Sequence, residues 1–220
     1  MEEFENLAAA MCQQISVHAS QAQQFYNLAD ISDNVLDVMR QIPRHEFVQY
    51  NSIEEAYFDK PLRIGHEQTI SQPYIVALMT SLIQPKSTDK ILDIGTGSGY
   101  QAAILAKLVD IVYTVEIIPD LAQLAMQRFE NLHINNIVCA NTNGLHGWLE
   151  HAPFDGIIVA AAAKEIPVAL IQQLKPDRKM VIPLEDQFGD QQLFLIEKHQ
   201  DLSVTKQALL PVRFVTFQTT

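Results

Sequence analysis

Near the start of the chain, apolar positions recur at helical spacing. Leu7, Met11, Ile15 and His18 share one face, and Ile31, Val35, Val38 and Met39 share another, the period of an amphipathic helix. Ser32-Asp33 offers an N-cap for the second helix, and Pro43 should end it, because proline lacks the N–H the helix ladder needs. From Asn51 to Gln72 the periodicity is lost, and Pro61 and Gly65 fall there with Pro73 just beyond. An irregular stretch of that length inside a compact chain points to function more than to a linker.

From Asp89 onward, short apolar runs alternate with helical ones. Strands are expected over 90–94, 111–117, 137–141 and 154–161, with helices over 100–108, 120–132 and 166–174. Three late strands, 180–184, 193–197 and 212–217, follow with no helix between them. Strand–helix alternation predicts a parallel sheet covered on both faces, and the late strands predict an antiparallel edge. The fold class is therefore α/β: a doubly wound, mostly parallel sheet in a three-layer sandwich, with an antiparallel edge and N-terminal helices. Residues 1–75 would carry those helices and an irregular loop segment, residues 76–220 the core, the two forming one compact unit.

The 220 residues, 48% hydrophobic, suffice for one well-buried core. A formal net charge of −11, from 15 Lys+Arg against 26 Asp+Glu, argues against general nucleic-acid binding, because such a surface repels phosphate. Cys12 and Cys139 give neither a disulfide framework nor metal-ligand spacing. The acidic start Met1-Glu2-Glu3-Phe4-Glu5 is unlike a signal peptide, and no apolar run is long enough to cross a bilayer. A cytoplasmic protein without membrane, nucleic-acid or metal partners, monomeric or weakly oligomeric, is expected.

The chemistry gathers at four places. Asp93-Ile94-Gly95-Thr96-Gly97-Ser98-Gly99 turns a strand directly into a helix, so backbone N–H groups and side-chain-free glycines meet a ligand at the helix start. Its G-x-G-x-G spacing differs from the pyrophosphate-binding G-x-G-x-x-G, and no P-loop lysine follows. Asp93 is placed to hold an ammonium or an ordered water. Glu116, ending the second strand, can accept both ribose hydroxyls of a nucleoside, since ligands in such sheets lie across strand C-terminal ends. Asn143, in Asn141-Thr142-Asn143-Gly144, can present an amide to an adenine edge, although Asn-Gly is also a common turn. Between Ile64 and Tyr74, Thr69 and Ser71 either present hydroxyls to a reacting group or belong to a capped turn. His66 reads as a surface residue.

On several of these segments the chain resembles the protein-L-isoaspartate O-methyltransferase family. The matching stretches are Ile42-Pro43-Arg44-His45-Glu46-Phe47-Val48, Gln68-Thr69-Ile70-Ser71-Gln72-Pro73-Tyr74, 92–101, Tyr113-Thr114-Val115-Glu116, 152–159, Glu165-Ile166-Pro167 and Pro211-Val212-Arg213-Phe214-Val215. The resemblance implies a Rossmann-like methyltransferase fold and methyl transfer from S-adenosylmethionine to the α-carboxyl of L-isoaspartyl residues in damaged proteins, a repair reaction. It places the site serine at Ser71, and acceptor contacts at Ile70, Ser71 and Val215. Cofactor contacts fall on Thr69, Asp93, Gly95, Thr96, Gly97, Gly99, Glu116, Asn143 and Gly144. The chain departs from the family pattern at Glu67, where a glycine is usual, and at Asn143, where an aspartate is. Further departures are Ala160 for a threonine, Pro176-Asp177-Arg178 for Pro-Gly-Gly, the ending Val215-Thr216-Phe217, and the first thirty or so residues. These changes are expected to fall on cofactor and substrate contacts. Glu67 in particular would repel an anionic acceptor, leaving as alternatives a degenerate binding module or a methyltransferase for another carboxylate.

Overall fold

The computed structural model describes residues 2–218. Helix α1 (Glu2–Gln23) buries Met11, Cys12 and Ile15, and α2 (Asp33–Gln41) buries Val35, Leu36, Val38 and Met39. Ser32 takes the N-cap position of α2, but its hydroxyl makes no capping bond; its N–H donates instead to Ser81 Oγ at 3.0 Å. The helix ends before Pro43, as expected, and the chain tightens into a 3₁₀ turn over Arg44–Phe47.

The stretch 51–72 is more regular than its sequence suggests. After a second 3₁₀ turn (Tyr50–Glu55), strands β1 (Leu62–Gly65) and β2 (Gln68–Ile70) form an antiparallel hairpin with Leu62 paired to Ile70. Its strands are too short for their alternation to register, and its turn, His66-Glu67, lacks the usual glycine signal. Both residues nevertheless take left-handed φ values, 48° and 59°.

Helix α3 (Pro73–Leu82) starts on a proline, which fits the first helical position, and every one of its residues is buried. Then come β3 (Lys90–Ile94), α4 (Tyr100–Ala106), β4 (Ile111–Glu116), α5 (Pro119–Asn131), β5 (Ile137–Asn141), β6 (Phe154–Val159), α6 (Val168–Gln173), β7 (Leu174–Glu185), β8 (Gln191–Lys198) and β9 (Val204–Pro211). The seven-stranded sheet has the order β5-β4-β3-β6-β7-β8-β9; its first five strands are parallel, and β8 and β9 are antiparallel. Alternate residues feed two apolar clusters. Ile91, Val112, Ile158 and Val181 join α1 to α5 on one face, while Leu92, Ile157 and Met180 join Leu170 of α6 on the other. The N-terminal helices thus share the core of the sheet.

Two expectations are corrected. The last strand is Val204–Pro211 rather than 212–217. Six of the eight residues of β9 are exposed and Thr205-Lys206-Gln207 interrupts its apolar positions, so it shows no alternating apolar face, whereas the apolar residues after it pack over the strand ends. There Ala162 N–H donates to Val215 O and Phe217 N–H to Ala162 O, both at 2.8 Å. Second, Pro176-Asp177-Arg178 lies within β7, at the opposite end of the sheet from the glycine loop. Arg178 bridges Asp89 (2.8 Å) and Asp155 (2.9 Å), and Lys175 also pairs with Asp155. That departure lines neither the cleft beside the glycine loop nor its neighbouring cavity; it ties the amino ends of β3, β6 and β7 together.

Candidate functional site

In a doubly wound sheet the chain reverses direction on either side of its first strand, and a crevice opens at the carboxyl ends there. Here that strand is β3, between β4 and β6. Beyond it, Gly95 and Thr96 N–H both donate to Val115 O, at 2.9 and 3.1 Å, and the loop runs on into α4. Gly97 and Gly99 have φ of 51° and 91°. At Gly99 a side chain would also be blocked, because its Cβ would stand 2.7 Å from the Phe129 ring. Arg128 of α5 anchors the loop by donating to Ser98 O at 3.0 Å.

Glu116 is brought directly to this loop. Its Oε2 accepts the Gly97 N–H at 2.7 Å and its Oε1 the Ile118 N–H at 2.9 Å. Each carboxylate oxygen keeps a second acceptor site, so the pair is held in place and can still receive two hydroxyls. Around it lies a solvent-open cleft of about 810 Å³, lined by Gly95, Thr96, Gly97, Gly144, Ile117, Ile118 and Phe217, among others. The hydroxyl of Thr96 turns inward to Thr114 Oγ1 at 2.7 Å.

Asp93 and Asn143 sit differently from their neighbours. Asp93 is fully buried beneath the loop and accepts from Thr114 Oγ1 at 2.8 Å, while its Oδ1 has no hydrogen-bond partner among the described residues. Burial pushes its carboxyl up to about 7, against the Thr114 bond and with some help from the Glu116 charge. Asn143 Oδ1 accepts the Leu145 N–H at 2.9 Å, capping the 3₁₀ turn Gly144–His146. The cleft wall at that point is Gly144, where an added Cβ would collide with Ile94.

Thr69, Ser71, Ala160 and Val215 face this cleft and also a second cavity of about 1000 Å³, so they form the partition between the two. Ile70 is buried and lines the first. The Ser71 backbone is held from behind by Arg44, whose Nη2 donates to Ser71 O and whose Nε donates to Ala56 O, both at 2.8 Å. That guanidinium is fully buried and lies 4.7 Å from the centroid of the Tyr100 ring; burial pulls its pKa down, while Tyr100 offsets part of the effect. Arg44 is the positioning residue that sequence reasoning passed over, although it lies in one of the matching segments. Ile117, Ile118 and Phe217 were missed too, since apolar contact surface carries no motif. Glu67 is exposed in the hairpin turn and lines neither cavity.

An acid poised for a ribose, a glycine loop open to the backbone and apolar walls for a flat ring together fit S-adenosylmethionine. The sheet and this cleft define an α/β methyltransferase of the S-adenosylmethionine-dependent class. The family model for protein-L-isoaspartate(D-aspartate) O-methyltransferase matches residues 20–220. Protein-L-isoaspartate O-methyltransferase 1 of Cupriavidus necator is 49% identical over 98% of this chain and 79% of its own length, and protein-L-isoaspartate O-methyltransferase 2 of a Polaromonas species is 51% identical over 84% and 88%. A solved protein-L-isoaspartate O-methyltransferase superposes with a TM-score of 0.82 at 25% identity, over 94% of this chain and 66% of that longer one. A Plasmodium falciparum structure described as a protein-L-isoaspartate O-methyltransferase in complex with S-adenosyl-L-homocysteine gives 0.78 at 26% identity, over 98% of both chains. The chain belongs to the protein-L-isoaspartate(D-aspartate) O-methyltransferase family.

Proposed function

We propose that this cleft carries out the family's reaction, methyl transfer from S-adenosylmethionine to the α-carboxyl of L-isoaspartyl residues in damaged proteins, with the donor on the glycine-loop side and the acceptor on the Ser71 side. The observation that carries the reading is the 2.7 Å bond between Gly97 N–H and Glu116 Oε2 in a cleft whose far wall is Ser71. When bound, the cofactor supplies an electrophilic methyl group on a sulfonium. Glu116 would hold the ribose hydroxyls, Ile117, Ile118 and Phe217 would sandwich the adenine, and Gly95, Thr96, Gly97 and Gly144 would let the donor lie against backbone, whereas Gly99, expected as a cofactor contact, lies off the cleft and packs against Phe129. Thr69 would complete the donor side, and the unpartnered oxygen of Asp93 would fix the amino-acid end from beneath.

An acceptor carboxylate is already ionised at neutral pH, so the site must align it rather than deprotonate it. The cleft matches that need: its ionisable lining groups are Glu116, tied to two backbone N–H groups, and Tyr100, whose hydroxyl burial pushes upward. Ser71, with its backbone fixed by Arg44, would orient the carboxylate through one neutral hydrogen bond, flanked by Ile70 and Val215. Alignment and exclusion of water would supply the rate. Glu67 lines neither cavity, which supports activity over a degenerate binder. Two free thiols, one of them buried, support a cytoplasmic setting, and among the described residues no helix is long and apolar enough to cross a membrane.

The test is a radiolabelled methyl-transfer assay comparing an isoaspartyl peptide with its normal aspartyl twin. Label on the isoaspartyl peptide alone is the expected result. Equal labelling of both, or of neither while another carboxylate is labelled, would overturn the assignment.

A further inference from the structure

The second cavity has a wall from the N-terminal helix. His18 of α1 lines it, opposite the 210–215 segment and next to Ser71, Gln72 and Tyr74. It precedes the first residue matched by the family model, which begins at residue 20. The ring is unusually well fixed for a side chain that is 42% exposed. Its Nδ1 stands 2.9 Å from Asp59 Oδ2, and its face stacks on Tyr74 with centroids 4.2 Å apart and planes inclined by 15°. Asp59 is itself fixed, because its Oδ1 accepts the Tyr74 N–H at 2.8 Å and its Oδ2 accepts from Gln72 Nε2 at 3.0 Å.

Nδ1 faces the Asp59 carboxylate at 2.9 Å and, farther off, the Gln72 amide nitrogen at 3.3 Å, which already donates to the same carboxylate oxygen; the shorter contact to the anion keeps the proton on Nδ1, so in the neutral ring the lone pair is on Nε2. Among the described residues, Nε2 has no hydrogen-bond partner. We propose that His18 is a specificity-determining residue for the acceptor, its Nε2 accepting a backbone N–H of an isoaspartyl peptide laid along this cavity beside Ser71. This rests on the acceptor-side reading of Ser71 given above. It assigns the N-terminal helix a direct part in recognition, with Asp59, Gln72 and Tyr74 as the bracket that presents the ring.

Two amides separate the two ring nitrogens. His18→Asn places an amide near the Nδ1 position and can keep Asp59 engaged; His18→Gln reaches the Nε2 position with its carbonyl oxygen. In steady-state assays of the full chain with an isoaspartyl peptide at saturating S-adenosylmethionine, His18→Asn should raise the peptide KM about three- to tenfold, the worth of one neutral hydrogen bond. The kcat, the cofactor KM and the melting temperature should stay near wild type, and His18→Gln should bring the peptide KM back. An unchanged KM in His18→Asn overturns the proposal. So does a parallel change of KM, kcat and melting temperature in both variants, which marks a structural role. Absence of transfer by the wild-type chain would remove the function and this inference together; normal wild-type transfer with an indifferent His18→Asn removes the inference alone.

Discussion

Ser71, on the cleft wall, and Asp93, buried beneath the glycine loop, would do different work in the proposed reaction. Ser71 carries a neutral hydroxyl on a backbone fixed by a buried guanidinium, so Ser71→Ala should remove orientation without touching any proton transfer. We expect kcat to fall about tenfold or more, the scale of a misaligned reactant, with the pH optimum of kcat unmoved; a displaced optimum in the pH–rate profile would place Ser71 in a proton-transfer chain instead. Asp93 is the opposite case, a carboxyl whose folded pKa of about 7 stands above its ordinary value of 3.8. Between those limits the folded chain keeps a proton that the unfolded chain gives up, so Asp93 lends stability that is full below about pH 4 and lost as pH rises through about 7. The melting temperature of the wild type should therefore fall from pH 5 to pH 7.5 by more than that of Asp93→Asn. Equal falls in the two proteins would show that Asp93 ionises without cost. Residue identity made Glu116 and the glycine loop legible in advance, because a strand-ending acid and a strand–loop–helix turn are local patterns. The engagement of Asn143 in a 3₁₀ cap and the hold of Arg44 on Ser71 depend on partners brought near by the fold, and no spacing announces them.

At the scale of elements, the parallel half of the sheet was readable from its sequence, since β3 to β6 are short, largely apolar runs and α4 and α5 separate the first three of them. The hairpin and the edge were not. Strands β1 and β2 have four and three residues, too few for a period, and β9 is largely solvent-exposed, so its alternation has no apolar partner. Strand β7 hid a different feature: where the family carries a flexible glycine turn, this chain has Asp177 at a φ of 57° and Arg178 in a charge network. Burial raises the Asp155 carboxyl, but the Lys175 and Lys90 hydrogen bonds and the nearby cations outweigh it and hold the group below its usual range. Arg178→Ala would leave Asp89, whose side chain is 2% exposed, without its cation. A loss of about 3 kcal/mol is expected in denaturant unfolding, with peptide and cofactor KM unchanged because the network lies at the far end of the sheet. A shifted KM would mean that the two ends of the sheet communicate.

For the molecule as a whole, the dominant long-range quantity is the net charge of −11. Its field should favour isoaspartyl peptides flanked by lysine over those flanked by glutamate when salt is low, and screening should abolish the difference as the Debye length shrinks from about 30 Å at 0.01 M to about 8 Å at 0.15 M. Measuring KM for both peptides across that salt range checks this; a preference that survives physiological salt would point to a local contact, with Arg213 on the second cavity as the first residue to examine. The whole also contains a mechanical joint. Ile64 of β1 rests over the glycine loop, its Cδ1 3.5 Å from where a Cβ on Gly97 would stand, and six residues later the same hairpin reaches Ile70, next to Ser71. The proposed donor and acceptor sides of the cleft thus share one hairpin. On the proposed reading, a change in this hairpin that admits a bulkier neighbour of the damaged residue would also shift the surface under the methyl donor, so acceptor and donor preferences would change together.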